Sequence, residues 1–148
     1  LDKLNSDGTI HEVLVIDDDP NDLRLIEKIL IDDGRYKPVL AEGGVNGWKI
    51  VSSGNPPHAV ILDLFMPDMD GIKILENMRA DPIMRDIPVI VVSGMDPTPE
   101  QKERLSQFGQ QMISKASFIV HCYQYESQTQ ACHWAKVELP LFAQSIWG

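Results

Sequence analysis

Three aspartates, a serine and a lysine stand out for the chemistry they would do if brought together: Asp17, Asp18, Asp63, Ser93 and Lys115. Carboxylates crowded within a few ångströms repel one another and resist ionisation unless a cation shares their site. Such oxygen donors suit Mg2+, with Mn2+ an alternative, because hard divalent ions take one or two carboxylates, keep waters and bridge to phosphate oxygens. A lysine adds a mobile positive charge for one phosphoryl oxygen, and a serine hydroxyl can hydrogen-bond another. An aspartate carboxylate is itself a nucleophile able to hold a covalent phosphate. Together they point to phosphoryl transfer, in which the protein supplies in-line positioning and charge neutralisation.

Each of the five falls within two residues past the end of a predicted strand. Residues 12–16 (EVLVI) form a short, continuous, β-branched run of the kind buried on both faces of a parallel sheet. A helical pattern follows, with Leu23, Ile26, Ile29 and Leu30 on one face, Pro20 or Asn21 in its first turn and Gly34 at its stop. Residues 36–41 read as a second strand, placed at an edge by Pro38. Residues 43–53 predict a short helix, against the preference of its glycines.

The third strand, 58–62, runs into Asp63, and Asp70-Gly71 opens a helix with Ile72, Leu75 and Met78 inward. A fourth strand over 87–92 meets Ser93, a helix covers 97–108, and a fifth strand over 110–114 ends at Lys115. Strands alternating with helices predict an α/β fold, a doubly wound parallel sheet in a three-layer sandwich. In such a sheet the C-terminal strand ends converge on one crevice. Topology would thereby gather residues that lie far apart in sequence.

A length of 148 residues suits one domain with a full core, and 43% hydrophobic against 24% charged residues is ordinary for a folded protein. The net charge of -9 disfavours a direct nucleic-acid surface. No apolar run approaches the roughly 18 residues of a membrane span, so no membrane contact is expected. Cys122 and Cys132 follow no secretory leader, so we expect reduced thiols and a cytoplasmic setting. The start at Leu1 is expected of an excised or processed piece. Residues 1–11 read as a linker or extension, 12–138 as the domain, and 139–148 as a tail.

Plainer explanations compete. An Asp-Asp-Asp-Pro run also serves as a helix N-terminal signal, and Ser93 or Lys115 alone would pass as surface residues. Five such residues gathered at four strand ends are harder to attribute to accident. Other motifs fail. The Asp17-x-Asp19-x-Asn21 run lacks the Gly and Glu of a calcium loop, Gly43-Gly44-x-x-Gly47 lacks the Lys-Ser/Thr of a phosphate loop, and the His121-Cys122 and Cys132-His133 spacing fits no compact zinc knuckle.

Over roughly residues 11–116 the chain resembles the receiver domains of bacterial two-component response regulators. The likeness rests on Val13-Leu-Val-Ile-Asp-Asp-Asp-Pro20, Ile61-Leu-Asp-Leu-Phe-Met-Pro-Asp-Met-Asp-Gly71, Val91-Val-Ser-Gly94 and Ile113-Ser-Lys115. The resemblance implies a flavodoxin-like (βα)5 fold with Asp63 as phosphoacceptor. It implies Mg2+ held by Asp17, Asp18, Asp63 and the Phe65 backbone carbonyl. Ser93 would follow the phosphoryl group as a switch, and Lys115 would pair with it. The donor would be a histidine kinase or histidine phosphotransfer protein. The acyl phosphate would be self-hydrolysed. Output would pass through the fourth helix, fifth strand and fifth helix to a second copy or an output domain.

Departures from the family pattern alter some expectations. Ala116 stands where a proline usually follows the lysine, so a trans or rearranged loop is expected there. Met112 occupies the aromatic switch position on the fifth strand, without a ring to swing. Phe65, bulky beside the acceptor, suggests a longer-lived phosphate. Residues 117–148 lack the usual Leu- and Arg-rich helix. Two rivals stand beside the phosphorelay reading: a pseudo-receiver working as a phosphorylation-independent interaction module, and a phosphate-ester hydrolase, which would need a cap for which the short loops leave no room.

Overall fold

The structure is a computed structural model, and it describes residues 11–110 and 112–118. Five strands, β1 (His11–Asp17), β2 (Tyr36–Glu42), β3 (Ala59–Asp63), β4 (Val89–Ser93) and β5 (Met112–Ser114), form one sheet. Its order is β2-β1-β3-β4-β5 and every pairing is parallel. Four helices connect them: α1 (Pro20–Asp33), α2 (Gly44–Val51), α3 (Gly71–Ala80) and α4 (Pro99–Ser106). Strand order reverses between β1 and β3, so the crevice of a doubly wound sheet opens at the ends of those two strands.

Alternation along the buried strands divides the core in two. Leu14, Ile16, Val60, Leu62, Val89 and Val91 face the layer that contains Ile72, Leu75 and Met78 of α3 and Leu105 of α4. Val13, Val15, Ile61, Ile90 and Val92 face Leu23, Ile26 and Leu30 of α1, together with Phe118. Three layers result, as the sequence predicted. Each of the α1 core side chains contributes about 2 kcal/mol by leaving water. Ile29 is only half-buried beside them.

Pro38 lies on β2, an edge strand, where a residue without an N–H is tolerated. The boundaries of β4 and α4 are tighter than expected. The Ile87 amide turns back to the Met84 carbonyl, so the β4 ladder begins at Val89. Thr98 and Gln101 form a reciprocal capping box that starts α4 at Pro99. Strand β1 reaches one residue earlier than expected and includes buried His11.

The glycines of α2 have a packing reason. A Cβ on Gly47 would stand 2.6 Å from the Ile16 side chain, so this helix can lie close against β1 only without one. Its N-terminus is held from the β3–α3 loop, where the Asp68 carboxylate accepts from Gly44 N at 3.0 Å and Val45 N at 3.1 Å. These bonds hold the Asp68 carboxyl below its usual range. Expectations about residues 119–148, including the fifth helix and both cysteines, lie outside the described residues.

Gly71 closes the loop after β3 through its N–H to the Leu64 carbonyl at 3.1 Å. A Cβ there would collide with the Asp63 carbonyl oxygen and stand 2.9 Å from Leu64 Cα, both backbone atoms that cannot swing away. Gly71→Ala is therefore expected to destabilise the fold by about 1–3 kcal/mol, despite alanine's better helix propensity. Urea unfolding checks this, and an unchanged or higher midpoint would contradict the close approach.

Candidate functional site

The crevice is built from strand ends. Asp17, the last residue of β1, is 1% exposed. Its Oδ1 accepts from Asp19 N at 2.9 Å, and its carbonyl accepts from Gly43 N at 2.9 Å. Asp18 follows and is exposed. Asp19 caps α1, its side chain accepting from Asn21 N at 2.9 Å. The acidic run thus divides its labour: one aspartate caps a helix, and two turn to the crevice.

Asp63 ends β3 and is 3% exposed. Its Oδ1 accepts from Phe65 N at 3.3 Å. One carboxylate oxygen from each of Asp17, Asp18 and Asp63 lies within 4.8 Å of the others, the grouping that the sequence predicted. Lys115, immediately after β5, supplies the counter-charge. Its Nζ stands 2.8 Å from Asp17 Oδ2, 2.9 Å from Asp22 Oδ2 and 3.4 Å from Asp63 Oδ2.

Asp22 is the residue that sequence reasoning missed. It occupies the first turn of α1, where an acidic side chain is read as a complement to the helix dipole. Only its spacing, one helical turn beyond Asp18 and so close to the end of β1, could have suggested more.

Ser93 ends β4, buried, on the strand between Asp63 and Lys115. Its hydroxyl is engaged by Met95, donating to the Met95 carbonyl and accepting from the Met95 amide at 3.1 Å. Phe65 lies on the β3–α3 loop, half-buried against the larger core cluster. Met112 is half-buried on β5 and registered with Val91. Ala116 is exposed in a helical turn that begins at Lys115, and none of the described peptide bonds is cis, in keeping with the trans alternative.

Charge crowding dominates the electrostatics. Burial first, then the neighbouring Asp17 charge, pushes the Asp63 carboxyl up to about 7, although Lys115 and the Phe65 amide pull the other way. Burial opposes the Lys115 charge, but hydrogen bonds to Asp17 and Asp22 and the charges of Asp17 and Asp63 outweigh it and raise its pKa. Four carboxylates facing one ammonium leave three net negative charges when all are ionised. A hard divalent cation fits that donor set and offsets the repulsion.

Residues 13–121 match the family model described as the response regulator receiver domain. This chain belongs to that family. The receiver is 30% identical over 82 residues to the chemotaxis protein CheY homolog of Campylobacter jejuni, covering 55% of this chain and 63% of that protein. It thus spans a little under two thirds of that relative's length. It is similar to the N-terminal domain of a response regulator receiver protein from Methanoculleus marisnigri, with 27% identity and a TM-score of 0.62 over 82% of this chain and 99% of that one. The response regulator TrrA of Thermotoga maritima, solved in complex with Mg(2+)-BeF, is 28% identical, with a TM-score of 0.57 over 70% of this chain and 84% of that one. Among the receiver's described residues no helix is long and apolar enough to cross a membrane.

The raised Asp63 pKa ties stability to pH. The folded state holds the Asp63 proton up to about 7, whereas the unfolded chain releases it near 3.8. The contribution of Asp63 is therefore fully present below about pH 4 and is lost as pH rises through 7. In cation-free buffer at pH 8, Asp63→Asn is expected to be more stable than wild type by about 2 kcal/mol. The gain should vanish below pH 4. Denaturant melts across pH test this, and equal stability at pH 8 would contradict the crowding.

Proposed function

We propose that this receiver accepts a phosphoryl group on Asp63 from a phosphohistidine donor, carried by a histidine kinase or a histidine phosphotransfer protein. The observation that carries the reading is the convergence of Asp17, Asp18 and the Lys115 ammonium on the buried Asp63 carboxylate. A carboxylate oxygen of Asp63 attacks phosphorus while the P–N bond of the donor breaks, and the imidazole leaves with the electron pair. No general base is required above about pH 7 or with the cation bound, when the Asp63 nucleophile is an anion.

Asp17, Asp18, Asp63 and the Phe65 carbonyl would hold Mg2+, or Mn2+ in its place. When bound, the ion supplies positive charge that keeps the carboxylates ionised and offsets charge on the phosphoryl oxygens. The Thermotoga relative, in its complex with Mg(2+)-BeF, supports that choice of ion.

Lys115, already 3.4 Å from Asp63, takes one phosphoryl oxygen. Ser93 exchanges Met95 for another. That movement, transmitted past Met112, alters the face made by α4, β5 and the segment after it, where an output domain or a second copy would dock. Hydrolysis of the acyl phosphate resets the domain.

Intact-protein mass tests the reading, after incubation with acetyl phosphate and, separately, with a histidine-phosphorylated phosphotransfer protein. We expect one phosphate-sized increment that requires Mg2+ and is absent in Asp63→Asn. No increment from either donor would overturn the proposal in favour of a phosphorylation-independent interaction module.

A further inference from the structure

The Lys115 ammonium has three N–H donors and faces three carboxylates. Two of these belong to the reacting centre. Asp17 is one of the carboxylates grouped for a cation, and Asp63 is the proposed acceptor. On the proposed reaction, both would change their charge state or their partners when the site is loaded. Asp22 stands apart, since it lies outside the three-carboxylate group and makes its 2.9 Å hydrogen bond to Lys115 from the first turn of α1.

Asp22 is also firmly placed. It sits in the first turn of α1, between the Asp19 cap and Leu23, which is 4% exposed in the core. The pair is sheltered, with side-chain exposures of 24% for Asp22 and 14% for Lys115. Lysine has a long stem with large rotamer freedom, so one fixed partner strongly narrows where its charge can be. Were Asp22 absent, the ammonium would follow Asp17 and lose its remaining anchor once a cation draws that carboxylate away.

We propose that Asp22 is a positioning residue of the phosphoryl-transfer site, its carboxylate tethering the Lys115 ammonium beside Asp63 while Asp17 is engaged elsewhere. This rests on Asp63 being the acceptor, and it adds a residue of a different element to the site. Asp22 acts through Lys115 and does not touch the phosphoryl group. With three donors, Lys115 can keep Asp22 on one N–H and offer another to the incoming oxygen, so the tether need not break for transfer to occur.

A double-mutant cycle on the rate of phosphate uptake from acetyl phosphate, read by intact mass, tests this. Asp22→Asn is expected to lower the maximal rate by about threefold to tenfold, a coupling in the range of contacting pairs. The half-saturating acetyl phosphate concentration should hold. Asp22→Glu, which keeps the charge, should restore most of the rate. In a Lys115→Ala background, Asp22→Asn should change the rate by less than about twofold, because its only route of action is gone.

Full activity in Asp22→Asn, or the same proportional loss with and without Lys115, would overturn the tether while leaving Asp63 as acceptor. Failure of wild type to take up phosphate from any donor would remove both. With Mg2+ saturating, Asp22→Asn should also speed acylation of Lys115 by an amine-reactive reagent, and unchanged labelling would contradict the tether.

Discussion

Negative charge is concentrated where the sheet ends, and one ammonium holds it together. Asp17 and Asp63 are nearly inaccessible to water, and each lies within ion-pair reach of Lys115. Burying one carboxylate beside another is costly without compensation. Lys115 therefore lowers the repulsion in the resting fold, and in the proposed reaction the same ammonium would meet the incoming anion. The repulsion it leaves behind is what a divalent cation would offset in the proposed site.

The surrounding backbone keeps these groups in register through a few close approaches. The Gly43 amide holds the Asp17 carbonyl, and the next two amides hold Asp68, so α2 links the end of β1 to the loop after β3. Gly71 closes that same loop tightly over Asp63. Arg104 of α4 reaches across to Glu76 at 2.6 Å and Asp70 at 3.5 Å, joining the helix beside the crevice to α3. The loop that follows Asp63 is thus connected to neighbouring helices by short, named contacts.

Much of this was legible in the sequence, for physical reasons. Strands buried on both faces need continuous apolar, β-branched runs, so β1, β3 and β4 announced themselves and fixed Asp17, Asp63 and Ser93 at their ends. Pro38 marked its edge strand. Less could be read where one residue type serves two purposes. Nothing in the Asp17-Asp18-Asp19 run says which member caps α1. Asp22 resembled an ordinary helix-start acid, and its link to Lys115 spans 93 residues, a contact that only the folded sheet creates. The glycines of α2 argued against a helix because their benefit, close approach to Ile16, lies in tertiary packing. Ser93 was placed correctly, but its hold on Met95 depends on the geometry of the following turn.

The proposed phosphoryl transfer depends on the carboxylates acting together as a cation site. Asp18 offers the cleanest access to that claim, since it is exposed and its loss leaves the core intact. Calorimetric titration of Mg2+ into wild type and Asp18→Ala is the direct measurement. We predict one Mg2+ bound by wild type and an affinity weakened by at least about tenfold in the variant, as expected for loss of a ligand. Equal affinity in the two proteins would contradict the grouping of Asp17, Asp18 and Asp63 around a shared ion.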